Sequence, residues 1–267
     1  MISSVAALAG RSDVVRRQAR RGFAKVLKRR RFYKGAGIVP ADDGASGFEI
    51  TLDGRKLRSP ARRALALPNE TIALAIAAEW DAQEDYIEPA SMPLMGLAST
   101  AVDQVVDERG FVVKNVLAYL RTDTVTYFAD SEDEVELLER QERHFLPLLE
   151  WLNTEYKIEL PQRRGLELYH KKQNPAAASA VAEDIVEAMS HWRLSALQCA
   201  TTECKSLTLG LALLAHRIDA READYASRLE ENMQIERWGL VEGQHDYDIT
   251  RSKLRLSSAS FFAGLTP

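Results

Sequence analysis

The sequence predicts an α+β protein, with a small β-rich N-terminal domain followed by a larger, all-helical C-terminal domain. Up to about residue 68, apolar and polar residues alternate in short stretches, which is typical of strands. Beyond that point the apolar residues recur every three or four positions, which is typical of helices. Strands and helices in separate parts of a chain indicate the α+β class. We expect the β-rich domain, with one packed helix, over residues 32–98 and the helical domain over residues 99–267.

Residues 1–31 are predicted to be a mitochondrial transit peptide that is cleaved from the mature protein. They are rich in Arg, Ala and Ser, they can form an amphipathic helix, and Asp13 is their one acid beside ten Lys or Arg. The alternative is a disordered basic tail that binds nucleic acid or a membrane surface. The rest of the chain holds 25 basic and 38 acidic residues, which argues against a general nucleic-acid-binding protein. The sequence contains no run of 18 apolar residues that would predict a membrane span, so stable membrane insertion is not expected.

The β-rich part contains a clear hairpin signal. Phe48, Ile50 and Leu52 alternate with polar residues, which predicts a strand with one buried face. Asp53-Gly54 then predicts a tight turn into a second strand, with Leu57 inward and an end at Pro60. Residues 64–68 predict a third strand. The stretch from Gly35 to Gly47 lacks the glycine spacing of a phosphate-binding loop and is interpreted as an ordinary loop.

The first helix is predicted to begin after the N-cap residue Asn69. Ile72, Ile76 and Trp80 recur every four residues, so Trp80 is expected to be buried and to hold this helix on the sheet. The neighbouring Asp81 is assigned a structural role as well. Pro89 and Pro93 predict an extended link after the helix.

The later helices are predicted from their caps and apolar stripes. A capping box at 131–134 precedes a long helix with Val135 on its apolar side, and Asn174-Pro175 begins another helix. Residues 207–215 predict a buried helix. A further helix is predicted from the cap Asp219–Glu222 to a stop at Gly239, and residues 249–267 predict a terminal helix. Asp123, between two threonines, is predicted to make a turn or to cap the segment that follows.

The search for catalytic chemistry finds no complete site, and no cofactor or metal site is predicted. The sequence has no Gly-x-Ser-x-Gly motif, and Cys199 and Cys204 are interpreted as reduced core thiols. The pair His245-Asp246 resembles part of the metal site of phosphohydrolases, so a metal-dependent hydrolase is kept as an alternative. One histidine and one carboxylate do not complete a coordination sphere, and an enzyme is therefore not predicted.

A protein-binding surface is the interpretation that the acidic C-terminal helix favours. Trp238 lies among several acidic residues, and tryptophan is a common anchor in protein interfaces. An acidic surface with an aromatic anchor would suit a basic or apolar protein surface. Two alternatives stay open at this point: acids on a helix usually serve solubility, and Trp238 is equally compatible with a core position.

Five segments taken together resemble one family. They are RRFYKGAGI (30–38), LDGRKLRSP (52–60), ALPNETIALAIAAEWDAQEDYIEPASMPL (66–94), AYLRTDTVTY (118–127) and RLEENMQIERWGLVEGQHDYD (228–248). In this order they resemble the ATP synthase assembly factor 2 family, the mitochondrial chaperones for the α subunit of the ATP synthase catalytic sector. Each segment alone is a weak signal, whereas the ordered set is specific.

The resemblance implies a matrix protein without reaction or cofactor, expected to be monomeric. It would bind the unassembled α subunit transiently and prevent its aggregation until the β subunit takes over. We hypothesise that a region of the helical domain in and just before the last matching segment meets the α subunit, and that it is lined by Glu222, Glu230, Glu231, Trp238, Glu242 and Asp246. Lysine at Glu230 and Glu231 is then expected to weaken capture. A helical scaffold protein with another client is the remaining alternative.

Overall fold

A computed structural model describes residues 29–41, 46–130, 134–164, 175–240 and 245–267. The strands, in chain order, are β1 (Arg29–Arg30), β2 (Ala36–Pro40), β3 (Phe48–Leu52), β4 (Arg55–Lys56), β5 (Ala66–Leu67), β6 (Tyr86–Ile87), β7 (Tyr127–Phe128) and β8 (Arg163–Arg164). The α-helices are α1 (Glu70–Asp81), α2 (Pro93–Thr100), α3 (Arg109–Ala118), α4 (Val135–Tyr156), α5 (Pro175–Glu187), α6 (His191–Cys204), α7 (Leu207–Leu214), α8 (Ala220–Ser227), α9 (Leu229–Trp238) and α10 (His245–Leu265). Among them, none combines the length and the apolar composition that crossing a bilayer requires.

The described residues fall into two compact units, of which the smaller contains residues 29–32 and 83–88. In this unit β1 pairs antiparallel with β6, with Arg30 opposite Tyr86. The pairing continues past the strand, because the Arg31 backbone N–H donates to the Asp85 carbonyl over 2.9 Å. The last residues of the predicted transit peptide therefore take part in a β-ribbon.

The larger unit contains residues 33–82 and 89–267 and begins with a small antiparallel sheet. Its central strand β3 pairs with β2, β4 and β5. Asp53 and Gly54 both have positive φ angles, 49° and 77°, as the predicted hairpin turn requires. The predicted loop from Gly35 to Gly47 is wrong in part, since residues 36–40 form the edge strand β2, with Ile38 opposite Ile50. This strand was missed because it is only five residues long and the glycines around it are typical of a loop.

The alternation in β3 predicted one buried face, but both faces of this strand are covered. Ile50 is fully buried on one face, and Glu49 and Thr51 on the other face are almost fully buried. Glu49 is buried as an ion pair with Lys56 of β4. A carboxylate is tolerated at this depth because an ammonium group accompanies it.

Helix α1 packs on β2 and β3 of the sheet. The prediction for its start is confirmed, since the Asn69 side chain accepts a hydrogen bond from the Ile72 backbone N–H over 3.0 Å. Ile72 and Ile76 are fully buried, whereas Trp80 is half-buried and Asp81 is exposed at the helix end. The Trp80 ring lies edge-on to the Tyr33 ring, with 5.6 Å between centroids, and the Tyr33 hydroxyl donates to the Trp80 carbonyl.

The segment from Pro89 to Pro93 is not an extended link as predicted: Pro89–Ser91 form a short 3₁₀ helix, and Pro93 begins α2. The residue before α2, Met92, provides no side-chain cap. Glu79 of α1 supplies one, because its two carboxylate oxygens accept the Leu94 and Met95 backbone N–H groups, each over 2.8 Å. A carboxylate at a helix N-terminus satisfies free amides and complements the helix dipole.

We predict that Glu79 makes stability depend on pH. Burial raises the pKa of Glu79 to about 7, while the two amide hydrogen bonds oppose that shift. Because the folded chain then holds this proton more tightly than the unfolded one, the contribution of Glu79 to the free energy of unfolding falls as pH rises from about 4.5 to 7. The carboxylate is partly exposed, so we expect a loss of only about 1–2 kcal/mol.

Urea unfolding at several pH values measures this loss as the stability difference between the wild-type chain and Glu79→Gln, which has no such titration. A difference that grows with pH would contradict the prediction. It would mean that the two amides keep the carboxylate charged throughout this range.

The helical core surrounds α7, all of whose residues are buried, as predicted for this stretch. Gly210 of α7 lets α6 come close, since a Cβ at this position would lie 2.6 Å from the Thr201 hydroxyl. The terminal helix α10 packs against α6, α8 and α2, with Phe262 fully buried and Phe261 exposed. Helix α4 buries its predicted apolar side except at the two ends, where Val135 is exposed and Tyr156 is half-buried. The predicted cap residues Ser131 and Asn174 lie outside the described residues.

Candidate partner-binding surface

The stretch predicted as one helix up to Gly239 is two helices, α8 and α9, which meet at Arg228. The backbone of Arg228 leaves the helical region, with φ −121° and ψ 24°. The predicted capping box at the start of α8 is confirmed: the Asp219 carboxylate accepts the Glu222 N–H, and the Glu222 carboxylate accepts the Asp219 N–H, each over 2.8 Å. The break gives α9 its own direction and its own exposed face.

The exposed face of α9 bears Glu230, Gln234, Arg237 and Trp238. Their spacing of four, seven and eight residues places them on one side of the helix, and the face is about 12 Å long from Glu230 to Trp238. Trp238 is 76% exposed, and Leu240 just beyond the helix is 46% exposed. We call Glu230, Gln234, Arg237, Trp238 and Leu240 the α9 surface.

The opposite side of α9 is fixed to α4. Leu229 and Met233 are buried, and Arg140 of α4 donates to the carboxylate of Glu236 over 2.9 Å. Arg140 also pairs with Glu136 one turn earlier, over 2.8 Å. The hydrogen bond from Arg140 holds the pKa of Glu236 below its usual range, so this carboxylate stays charged and engaged. The α9 surface therefore rests on a helix that packing and ion pairs hold in place.

A cavity of about 440 Å³ lies at the N-terminal end of α9. Thr122, Thr124, Phe145, Lys205 and Glu230 contribute to its wall. Gln141 also lines it; this buried side chain accepts the Ala129 N–H over 2.6 Å and reaches Glu230 over 3.4 Å. Because Gln141 interrupts an apolar stripe of α4, the sequence did contain a signal for a polar role at this position.

Arg228 lies in the wall of the same cavity and is largely buried. One of its terminal nitrogens donates to Glu231 over 2.5 Å, but its Nε–H has no hydrogen-bond partner among the described residues. A buried donor without a partner costs free energy that a bound group could recover. This cavity wall is therefore polar and incompletely satisfied.

Asp123 lies between Thr122 and Thr124, which line this cavity. The sequence predicted only a turn or a cap for Asp123, but its carboxylate connects several parts of the fold. Its carboxylate is fully buried and accepts the Val125 N–H, the Ser206 hydroxyl and both the N–H and the hydroxyl of Thr208, over 3.3, 2.5, 2.9 and 3.0 Å. It thereby caps the 3₁₀ helix Thr124–Thr126 and the start of α7 together. Burial raises the pKa of Asp123, and the hydrogen bonds from Ser206 and Thr208 oppose that shift.

Comparison with known proteins now identifies the family. The family model described as "ATP12 chaperone protein" matches residues 30–153. The crystal structure of Atp12 from Paracoccus denitrificans is 33% identical in sequence to this chain and superposes with a TM-score of 0.79, in a match that covers 90% of this chain and 99% of that one. The chain belongs to the ATP12 chaperone family.

Two mitochondrial relatives carry the same family name. "Protein atp12, mitochondrial" of Schizosaccharomyces pombe is 28% identical over 222 residues, a match that covers 80% of this chain and 76% of the relative. "Protein ATP12, mitochondrial" of Saccharomyces cerevisiae is 26% identical over 253 residues and covers 80% of this chain and 78% of the relative. Both the predicted family and the predicted α+β class are thereby confirmed, and the family is one of chaperones.

In this ATP12-family chain, the hypothesised partner-binding residues that the structure describes are distributed over three helices, α8, α9 and α10. Glu230 and Trp238 lie on the α9 surface, while Glu231 lies beside it and pairs with Arg228. Glu222 is engaged in its capping box. Asp246 lies in the first turn of α10, where its carboxylate accepts the Tyr247 N–H. The remaining hypothesised residue, Glu242, lies outside the described residues, and the role of the whole set stays a prediction.

The alternative metal site cannot be assembled from the part of the chain that the structure describes. There, no group of three or more His, Cys, Asp or Glu side chains is placed to hold a metal ion. Asp246 is exposed at its helix start, and the side chain of His245 lies outside the described residues. Bound metal in the purified protein that is lost in His245→Ala would favour this alternative.

Proposed function

We propose that this chain is a chaperone for assembly of the mitochondrial ATP synthase, which binds the unassembled α subunit of the catalytic sector in the matrix. It would act as a monomer, without cofactor or chemical reaction, and release the α subunit when the β subunit pairs with it. The observation that supports this proposal best is Trp238, a large aromatic side chain 76% exposed on a helix that is itself well anchored.

The exposure of Trp238 needs an explanation, because a tryptophan in water forgoes the stabilisation that burial would give. Exposed apolar residues on a fixed helix are the kind of surface that anchors a protein partner. An unassembled subunit exposes an interface patch of its own, which aggregates unless another surface covers it. Trp238 and Leu240 supply apolar contact area for such a patch, and the polar residues beside them would set its orientation.

The ion pairs decide which acids are available to a partner. Glu231 and Glu236 pair with arginines of the chain itself, at 2.5 and 2.9 Å, and Glu222 is engaged at its helix cap. Glu230 is exposed, and its contact with Gln141 over 3.4 Å is long for a hydrogen bond. Among the hypothesised acids of α8 and α9 we therefore assign the strongest contribution to Glu230.

The pairing of β1 with β6 favours cleavage of the predicted transit peptide before Arg29, a few residues earlier than the end at residue 31 that composition predicts. Removal of residues 1–31 would take one strand of the ribbon away with the transit peptide. The basic composition of the leader and the mitochondrial names of the relatives support import into mitochondria.

The proposal is tested with separately expressed α and β subunits. The chain should capture α but not β, and it should suppress the light scattering of aggregating α without added nucleotide. Capture of β instead would overturn the choice of client. Capture of neither would overturn the proposed function and leave a chaperone or scaffold with another client.

We predict that Glu230→Lys lowers the affinity for the α subunit by about tenfold. If Glu230 meets a basic part of the client, as an acidic contact residue is expected to, a lysine at this position would repel that part. The change should leave the melting temperature unchanged, since Glu230 is exposed. Glu183→Lys, which reverses an exposed charge on α5, is the matched control and should bind normally. Equal binding by both folded variants would remove Glu230 from the contact surface.

A further inference from the structure

A second cavity, of about 450 Å³, forms a groove between α2, α6 and α10. Its lining is part apolar and part polar: Gln104, Gln198 and Thr202 are polar, whereas the buried side chains of Met92 and Leu97 form an apolar part that we call its floor. Tyr247 and Leu254 of α10, both exposed, contribute to its rim. The Ser195 hydroxyl of α6 donates to the Leu97 carbonyl of α2 over 2.8 Å, which ties two walls of the groove together. The groove is thus a partly apolar trough that is open to solvent beside Tyr247 and Leu254.

One wall of the groove contains Gly96, in the middle of α2. Glycine inside a helix costs about 0.5–1 kcal/mol relative to alanine. No atom of the described protein explains it, because a Cβ at this position would meet nothing within 4 Å. A glycine in such a place allows the backbone of a bound chain to approach the helix closely.

The α10 wall of the groove carries positive charge. Arg251 and Arg255 of α10 both line it, and both interact with the single carboxylate of Glu203, over 3.6 and 2.6 Å. Glu203 is largely buried, whereas both arginines are about half exposed. Two guanidinium groups that share one carboxylate leave a net positive charge beside the apolar floor. Asp246 and Asp248 lie nearby in the sequence of α10 but do not line the groove.

We propose that this groove binds a segment of the client subunit that presents apolar side chains followed by a carboxylate. The apolar floor would take the side chains, Gly96 would admit the backbone, and Arg251 would pair with the carboxylate. Charge argues against the chain's own N-terminal leader as the occupant, because ten of its residues are Lys or Arg. The inference rests on the proposed function and adds a second contact to it.

The groove adjoins the cavity at the α9 surface. Glu203 lines that cavity, and its two partners, Arg251 and Arg255, line the groove, so this ion-paired cluster lies between the two. A client that occupies the groove and the α9 surface together would gain affinity from two weak contacts, either of which can open first. Such a two-part contact would suit a chaperone, because an incoming subunit could displace one part at a time.

Two pairs of matched variants test the groove. Gly96→Trp fills it, and Gly110→Trp places the same side chain at another exposed helical glycine, in α3, where a Cβ likewise meets nothing within 4 Å. Arg251→Glu reverses a charge in the groove, and Lys253→Glu reverses an exposed charge on α10 outside it. Binding of the isolated α subunit to each full chain is measured by surface plasmon resonance, with melting curves as the check on folding.

We expect Gly96→Trp and Arg251→Glu each to weaken α-subunit binding by about tenfold, and both controls to bind within about twofold of the wild type. Normal binding by the two folded groove variants, together with weakened binding by Glu230→Lys, would overturn the groove and leave the proposed function standing. A wild-type chain that does not bind α would overturn both. Self-association of the wild type that Gly96→Trp abolishes would assign the groove to a second copy of the chain and overturn the client segment.

Discussion

Replacing Asp123 by alanine is expected to lower the free energy of unfolding by about 3–5 kcal/mol. The change removes one acceptor group and leaves the Ser206 hydroxyl and the Thr208 amide buried without their partner. Each buried donor that loses its partner costs about 1–3 kcal/mol. Because the same carboxylate caps the 3₁₀ helix at Thr124 and the start of α7, both ends loosen together. Thermal unfolding should show a fall of about 10 °C in melting temperature.

Two variants calibrate this result. Asp123→Asn keeps one oxygen acceptor and should lie between the wild type and the alanine variant. Asp184→Ala removes an exposed carboxylate from α5 and should change the free energy of unfolding by less than about 0.5 kcal/mol. If Asp123→Ala cost no more than Asp184→Ala, water or local rearrangement would be satisfying the donors, and Asp123 would not organise this region.

Features that depend on neighbours in the chain could be predicted from the sequence. The turn at Asp53-Gly54 requires positive φ angles at two adjacent positions, and that residue pair specifies it. The caps at Asn69 and Asp219 act over three residues, so their residue types identify them. The buried helix α7 was recognisable because nearly every residue in it is apolar.

Features set by distant parts of the chain could not be predicted. Asp123 meets Ser206 83 residues along the chain, so nothing near it in the sequence indicated a buried carboxylate. The break at Arg228 has no glycine or proline to mark it. At this break the Arg228 side chain lines the cavity and donates a hydrogen bond to Glu231.

The candidate surface shows the same limit. Trp238 was equally compatible with a core or a surface position, because helical periodicity alone did not say which face of the predicted helix would be covered. The packing of Leu229 and Met233 against α4 decides this, and it leaves Trp238 in water. The acidic residues around it were visible in the sequence, but their ion pairs were not. Glu231 pairs with Arg228 at the start of the same helix, and Glu236 pairs with Arg140 of α4.

Replacing Trp238 by alanine is expected to weaken binding of the α subunit by about 30-fold or more, which corresponds to at least about 2 kcal/mol for an anchoring aromatic residue. Stability should hardly change, because the side chain is 76% exposed and makes little contact that folding could lose. Titration calorimetry with the isolated α subunit measures the first effect and urea unfolding the second.

Phe111→Ala is the matched control, since Phe111 is 62% exposed on α3 and lies outside both cavities. If the two variants bound equally well, the exposure of Trp238 would have no functional meaning, and contact with the client would have to come from the groove or from residues outside those described. If Trp238→Ala lost stability as well as binding, the tryptophan would be part of the fold. Loss of binding at unchanged stability distinguishes an anchor from a core residue, because only an anchor gains its contacts when the partner arrives.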